Sequence, residues 1–185
     1  KSLEVSKFTN SSEILDGRVK TLHPKLHSGI LNKRDKKSHQ NEMKRNYFEN
    51  IDLVIVNFYP FENILKKTNN HNKIIDNIDV GGPAMVRSAA KNYKYVTVIT
   101  SSNQYKELIK ELKKYKGSTS LKFREKLSRL AFTKTAYYDS IISNYLNKIS
   151  NTTFPENKIF HAKLIELPRY GENPHQKSAI YSRNE

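Results

Sequence analysis

The sequence predicts an α/β fold built on a parallel sheet, and three observations carry that expectation. Two short apolar runs, Leu53-Val-Ile-Val56 and Tyr95-Val-Thr-Val-Ile-Thr100, have strand composition and end in polar or turn-forming residues. A small-residue helical segment lies between them, and a charged amphipathic one follows the second. The resulting order of strand, helix, strand, helix favours right-handed connections in a doubly wound arrangement.

Each element has a local reason. The first run is near-continuous in its apolar character, as expected of a parallel strand, and Asn57-Phe-Tyr-Pro60 closes it. Gly82-Pro83 precedes Ala84-Met-Val-Arg-Ser-Ala-Ala-Lys91, where proline suits a first helical turn and small residues suit close packing on a sheet. After the second strand, Ser101 and Gln104 stand at capping-box spacing, and the helix they open is predicted to reach Lys116-Gly117. A longer helix is predicted from Ser120 to about Ile149. There Leu127, Leu130, Ala131, Thr135, Tyr138, Ile141, Ile142 and Tyr145 recur near helical spacing, which assigns the aromatics to packing. Asn151-Thr-Thr-Phe-Pro-Glu-Asn157 reads as a linker, followed by a strand-like stretch from Lys158 to Ile165.

Composition narrows the function classes. At 185 residues the chain can hold one domain with a substantial core, or one domain and a short piece of another. It has no cysteine, so disulfides, thiolate metal sites and cysteine nucleophiles are excluded. No apolar run approaches membrane-spanning length, and Lys1-Ser-Leu-Glu-Val5 contains an acid and no apolar block, so the expectation is a soluble, cytoplasmic protein with no membrane partner. The net charge of +15 raises a nucleic-acid reading. Its distribution argues against that, because lysine exceeds arginine about threefold and is interleaved with glutamate in stretches such as Tyr105 to Lys114, the pattern of a solvated helix face.

Three polar constellations remain. In Asp16-Gly-Arg-Val-Lys-Thr-Leu-His-Pro-Lys25, Arg18 offers a planar fork of donors, Lys20 a mobile point charge and Thr21 a hydroxyl, all suited to an anion, the alternative in so lysine-rich a chain being a solvated basic turn. Gly17 and Pro24 oppose a continuous helix, and in an extended backbone Arg18 and Lys20 share a face. Asn57 and Tyr59 follow the first strand and alternate, so both can face the crevice beyond its carboxyl end, where ligands gather in open α/β sheets. Asn77-Ile-Asp-Val-Gly-Gly-Pro83 leads into the middle helix. There Asp79 can accept hydrogen bonds from an amine or amide while Gly81 and Gly82 let a ligand approach backbone N–H groups, or the segment is an ordinary N-cap with the glycines making the turn. Arg87 and Lys91, four apart, share one helix face, and spacing leaves open whether that face meets the crevice or solvent. His23 and His27 flank Pro24 without a nearby carboxylate pattern, and His175 stands alone, so no metal site is expected.

Together these segments resemble the bifunctional purine-biosynthesis family that combines IMP cyclohydrolase with aminoimidazole carboxamide ribonucleotide (AICAR) transformylase. The stretches that carry the resemblance are Ile14-Leu-Asp-Gly-Arg-Val-Lys-Thr-Leu-His-Pro24, His27-Ser-Gly-Ile-Leu31, Val56-Asn-Phe-Tyr-Pro-Phe-Glu62, Ile78-Asp-Val-Gly-Gly-Pro83, Arg87-Ser-Ala-Ala-Lys-Asn92, Ala131-Phe-Thr-Lys-Thr-Ala136 and Arg169-Tyr-Gly-Glu-Asn-Pro-His-Gln176. They stand in family order along nearly the whole chain. The resemblance implies a Rossmann-like parallel sheet, like that of methylglyoxal synthase and incomplete at the N-terminus, over residues 1–150. A linker at 151–160 and the start of a second α/β domain, the transformylase, at 161–185 would follow. It also implies that phosphate-binding loops precede Lys1 and that the rest of the transformylase follows Glu185, so that these 185 residues alone are expected to be inactive.

The implied chemistry is ring closure of formylated AICAR nucleotide to inosine monophosphate with loss of water. No metal or cofactor takes part, and 10-formyltetrahydrofolate serves only the transformylase, at a site outside this chain. By motif, Lys91, Lys20, Tyr59 and Asp79 are the implied catalytic residues, with Lys91 the proton donor or acceptor. Arg18, Thr21, Asn57, Val80, Gly81 and Gly82 are the implied nucleotide contacts, and Arg169 and Tyr170 the implied AICAR contacts of the second site. Pro168 precedes Arg169 where another apolar residue is expected, which constrains the backbone there. The implied partners are purine nucleotides and a second copy of the chain in a homodimer. The alternatives are a non-catalytic nucleotide-binding module of the same fold and a basic nucleic-acid binder.

Overall fold

The computed structural model describes residues 2–173 and 175–182; Pro174 of the Arg169 to Gln176 motif and the last three residues of the expected second domain lie outside the described residues. The chain divides into two compact units, Lys1–Ala136 and Tyr137–Glu185, and the division falls inside one long helix.

The first unit contains α1 (Val5–Thr9), α2 (Pro24–Leu31), α3 (Lys37–Arg45), β1 (Leu53–Ile55), α4 (Phe61–Lys67), α5 (His71–Asp76), α6 (Gly81–Lys91), β2 (Thr97–Ile99), α7 (Tyr105–Lys114) and the first part of α8 (Leu121–Ile149). Strands β1 and β2 pair in parallel, with Leu53 opposite Thr97, Val54 opposite Val98 and Ile55 opposite Ile99. The predicted α/β alternation is present. Strand β2 is buried throughout, whereas β1 buries only Val54. The core gathers Val86, Ala89 and Ala90 of α6, Val96, Val98 and Ile99 around β2, and Leu127 and Ala131 of α8. Small side chains let α6 lie close to the strands. Burying such apolar surface contributes roughly 25 cal/mol per Å².

The cap signals are realised with small shifts. Ser101 and Gln104 form the capping box on a turn of 3₁₀ helix, Ser102–Gln104, that leads into α7. Helix α7 ends at Lys114, and the chain leaves through a left-handed Lys116 and Gly117, whose N–H reaches back to the Leu112 carbonyl at 2.7 Å. Pro24, which opposes a helix running through it, instead starts one at N1, with His23 Nδ1 accepting from the Lys25 N–H at 3.1 Å. The C-terminus of α2 is closed by two asparagines. Asn32 Nδ2 donates to the Ser28 and Gly29 carbonyls at 2.9 and 3.0 Å, and buried Asn92 Nδ2 donates to the Ile30 and Asn32 carbonyls at 2.7 and 3.0 Å. The Ser28 and Gly29 carbonyls also accept the Asn32 and Ile51 N–H groups at 3.1 and 2.9 Å, so the Asn32 side chain adds a second donor there, whereas Asn92 supplies the donor for the Ile30 and Asn32 carbonyls.

In the second unit, the rest of α8 is followed by β3 (Lys163–Glu166) and β4 (Ile180–Ser182), paired antiparallel with a register shift between Leu164 and Glu166. The strand-like stretch expected from Lys158 begins at Lys163. His161 is used otherwise: its ring stands edge-on to Tyr137 at 5.1 Å, and its Nδ1 meets Asn144 Nδ2 at 3.3 Å. No helix among the described residues is long and apolar enough to cross a membrane.

Candidate functional site

The Asp16 to Lys25 segment is a tight reversal. Ile14 and Val19 exchange backbone hydrogen bonds of 3.3 Å, and the loop between them places Leu15, Asp16 and Gly17 at φ of 56°, 54° and 84°. Three consecutive left-handed residues explain the Asp-Gly sequence, since these two types tolerate that region best. The reversal sets Glu13 opposite Lys20, and their side chains form an ion pair. Arg18 turns instead to Asp76 at the end of α5, at 3.7 Å. Glu13, through its hydrogen bond and its charge, raises the Lys20 ammonium above the ordinary lysine pKa, and Glu4 and Tyr59 reinforce it from nearby.

Thr21 follows directly and meets the turn before α6. A methyl group placed on Gly81 would overlap Thr21 Oγ1, so glycine at that position is what lets the two motifs touch. Asp79 folds back over the same turn, and its Oδ1 accepts the Gly82 N–H at 2.8 Å. A carboxylate at this position satisfies one orphan N–H and meets the positive end of the helix dipole. Val80 is exposed between them. Asn57 and Tyr59 both lie exposed in the loop after β1. The structure therefore joins the first and third constellations through Thr21 and Gly81, and Tyr59 lies close enough to Lys20 to act on its charge.

Lys91 is placed differently. It is the last residue of α6, exposed, and the eleven residues of the helix separate it from Gly81 by about 15 Å along the axis. Arg87, one turn earlier, is exposed and lies with its guanidinium 5.5 Å from the Phe132 ring centroid, beside α8. In the second unit, Arg169 and Tyr170 are exposed on a loop closed by Gly171 N–H to the Gln176 carbonyl at 2.9 Å and by Ser178 Oγ to the Tyr170 carbonyl at 2.9 Å.

Two residues beyond the expected set bear on the first unit's site. His27 Nδ1 lies 3.1 Å from Ser88 Oγ, tying α2 to the middle of α6, while its Nε2 is buried and has no hydrogen-bond partner among the described residues. Burial lowers the His27 pKa below the ordinary value, and hydrogen bonding towards the Thr21 backbone opposes part of that. The other is Glu13. Its signal in the sequence is a glutamate and a lysine placed symmetrically about an Asp-Gly turn. No group of three or more metal-ligating side chains occurs among the described residues.

Comparison with known proteins bears on the same segments. Residues 89–185 match the family model "AICARFT/IMPCHase bienzyme", and residues 1–84 match "MGS-like domain". Similar proteins include the "Bifunctional purine biosynthesis protein PurH" of Prochlorococcus marinus, 51% identical over 98% of this chain and 35% of that protein. The proteins of the same description from Thermoanaerobacter sp. and Bradyrhizobium diazoefficiens are 49% and 47% identical, each over 97% of this chain and covering 35% and 34% of their own length. The chain thus spans about a third of the length of the curated relatives it matches. Among solved structures, the crystal structure of ForH matches with a TM-score of 0.65 and 30% identity, over 75% of this chain and 73% of that one.

Proposed function

The chain belongs to the AICARFT/IMPCHase bienzyme family, and on that premise we propose that its first unit contributes to a site that closes the purine ring of formylated AICAR nucleotide. The observation that carries this reading is the contact of Thr21 with Gly81. The contact sets the Thr21 hydroxyl, next in sequence to Lys20, against the start of α6, where the Asp79 carboxylate accepts the Gly82 N–H, and Tyr59 is an electrostatic neighbour of Lys20.

The reaction needs those groups. The carboxamide nitrogen attacks the formyl carbon, a carbon–nitrogen bond forms, and water leaves with the formyl oxygen and one proton from each nitrogen. An amide nitrogen is a weak nucleophile, so the barrier falls when a donor stabilises charge on the formyl oxygen and an acceptor takes the amide proton. Lys20 and Tyr59 are suited to the first task. Asp79 is suited to hold the carboxamide, and Arg18, Asn57, Val80, Gly81 and Gly82 to hold the nucleotide around it, so that the two substituents face each other. Lys91 is proposed as the proton carrier.

The wider reading keeps residues 1–150 as the cyclohydrolase part, 151–160 as a linker and 161–185 as the start of the transformylase, with Arg169 and Tyr170 binding AICAR. Ring closure needs no cofactor, 10-formyltetrahydrofolate serves the second reaction at a site outside this chain, and the protein works in the cytoplasm as a homodimer. The test is conversion of formylated AICAR nucleotide, followed by inosine monophosphate absorbance, in the protein and in Lys20→Ala and Lys91→Ala variants. Loss of about a hundredfold or more in each is expected for groups that move or stabilise a proton. Undiminished turnover in Lys91→Ala removes that lysine from the mechanism and leaves the Thr21 end of α6 as the whole of the site.

A further inference from the structure

The Glu13 carboxylate is built into the reversal at residues 14–19. The paired Ile14 and Val19 fix a register in which Glu13 and Lys20 are neighbours across the two strands of the turn, and a slip of one residue would separate them. Gly17 leaves the space the carboxylate uses: a methyl placed there would stand 3.2 Å from Glu13 Oε2. The ammonium so held has Tyr59 and Glu4 as its other ionisable neighbours. Arg18, the adjacent cation, is occupied by Asp76.

We propose that Glu13 is a positioning residue for ring closure, holding the Lys20 ammonium at the mouth of the site beside Tyr59. This rests on the cyclohydrolase reading above and assigns roles within it. A lysine paired with a carboxylate is kept as a cation, so Lys20 donates a hydrogen bond to the charge that develops on the formyl oxygen and does not accept the amide proton. The acceptor is then a different group.

The experiment compares the protein with Glu13→Gln and Glu13→Asp variants. It measures kcat and KM for formylated AICAR nucleotide across pH, and titrates the Lys20 side chain by NMR of ¹³C-labelled lysine, assigned with Lys20→Arg. Glu13→Gln is expected to lower kcat about tenfold while KM stays within about twofold, the signature of an interaction used in the transition state. The alkaline limb of its kcat profile and the Lys20 titration both move to lower pH, since removing the paired anion lets the ammonium lose its proton more readily. Glu13→Asp restores most of the rate. An unchanged profile in Glu13→Gln, or an aspartate variant no better than the glutamine one, overturns the proposal. The measurements use the intact protein and not residues 1–185 alone; if that wild-type protein binds the nucleotide without closing the ring, the cyclohydrolase reading fails by itself. The Lys20 titration then decides the pair alone, and a resonance that does not move in Glu13→Gln refutes it.

Discussion

The two ends of α6 are built to opposite rules. At the first, an exposed Val80, a half-buried Gly81 and the Asp79 carboxylate stand beside Thr21, while Gly82 is buried with its N–H held by Asp79. At the other, Asn92 is buried and donates to two carbonyls of the α2 terminus, and Ala89 and Ala90 are fully enclosed. One helix thus presents chemistry at its start and is locked into the fold at its finish. A site can be open without being loose when the anchoring groups lie two or three turns from the reacting ones.

The locked end should break most visibly. Asn92→Leu removes an amide that satisfies the Ile30 and Asn32 carbonyls, and each buried group left unpaired costs about 1–3 kcal/mol. A loss of about 3 kcal/mol in urea-unfolding stability is expected, and a change below about 0.5 kcal/mol would mean that water replaces the amide and the clamp is not structural.

The open end should respond in binding. Gly81→Ala introduces a methyl where Thr21 Oγ1 stands, so KM for the nucleotide should rise about tenfold, near 1.4 kcal/mol, with stability almost unchanged. The added methyl should do little further harm in a Thr21→Ala background, because the clashing oxygen is gone. Additive effects in that double variant would show that Thr21 and Gly81 do not share a site.

The smallest expected effect lies between the two ends, at His27 against Ser88. Its folded-state pKa is lowered from 6.5, so below that pH the unfolded chain binds a proton that the folded chain refuses. Stability should be full above about pH 6.5 and fall as the pH drops towards the lowered value. Urea midpoints at pH 7.5 and pH 5 measure it. His27→Gln should flatten the difference, and an unchanged slope would assign it to other groups.

What could be read in advance follows the range of the forces involved. The helices α6, α7 and α8 and both parallel strands are long or apolar enough to declare themselves, and the capping box at Ser101 and Gln104 is a local signal. Helices α1, α3, α4 and α5 are short, from five to nine residues, and bury one residue each in their first-unit surroundings. Propensity is too weak over such lengths to mark them, so packing decides them. The site divides likewise. Motif chemistry marked Lys20, Thr21, Tyr59, Asp79 and Gly81, but the carboxylate that pairs with Lys20 needed the turn geometry to be seen.

By itself the sequence determined the α/β alternation, the parallel strands, the family and the residue types from which a nucleotide site can be made, because periodicity, caps and motifs act over a few residues. Tertiary structure decided that Thr21 lies against Gly81, 60 positions later, that Arg18 and Lys20 turn to different carboxylates, and that Lys91 ends α6 about 15 Å along its axis from Gly81. Those placements depend on how distant segments pack, and no local spacing contains that information.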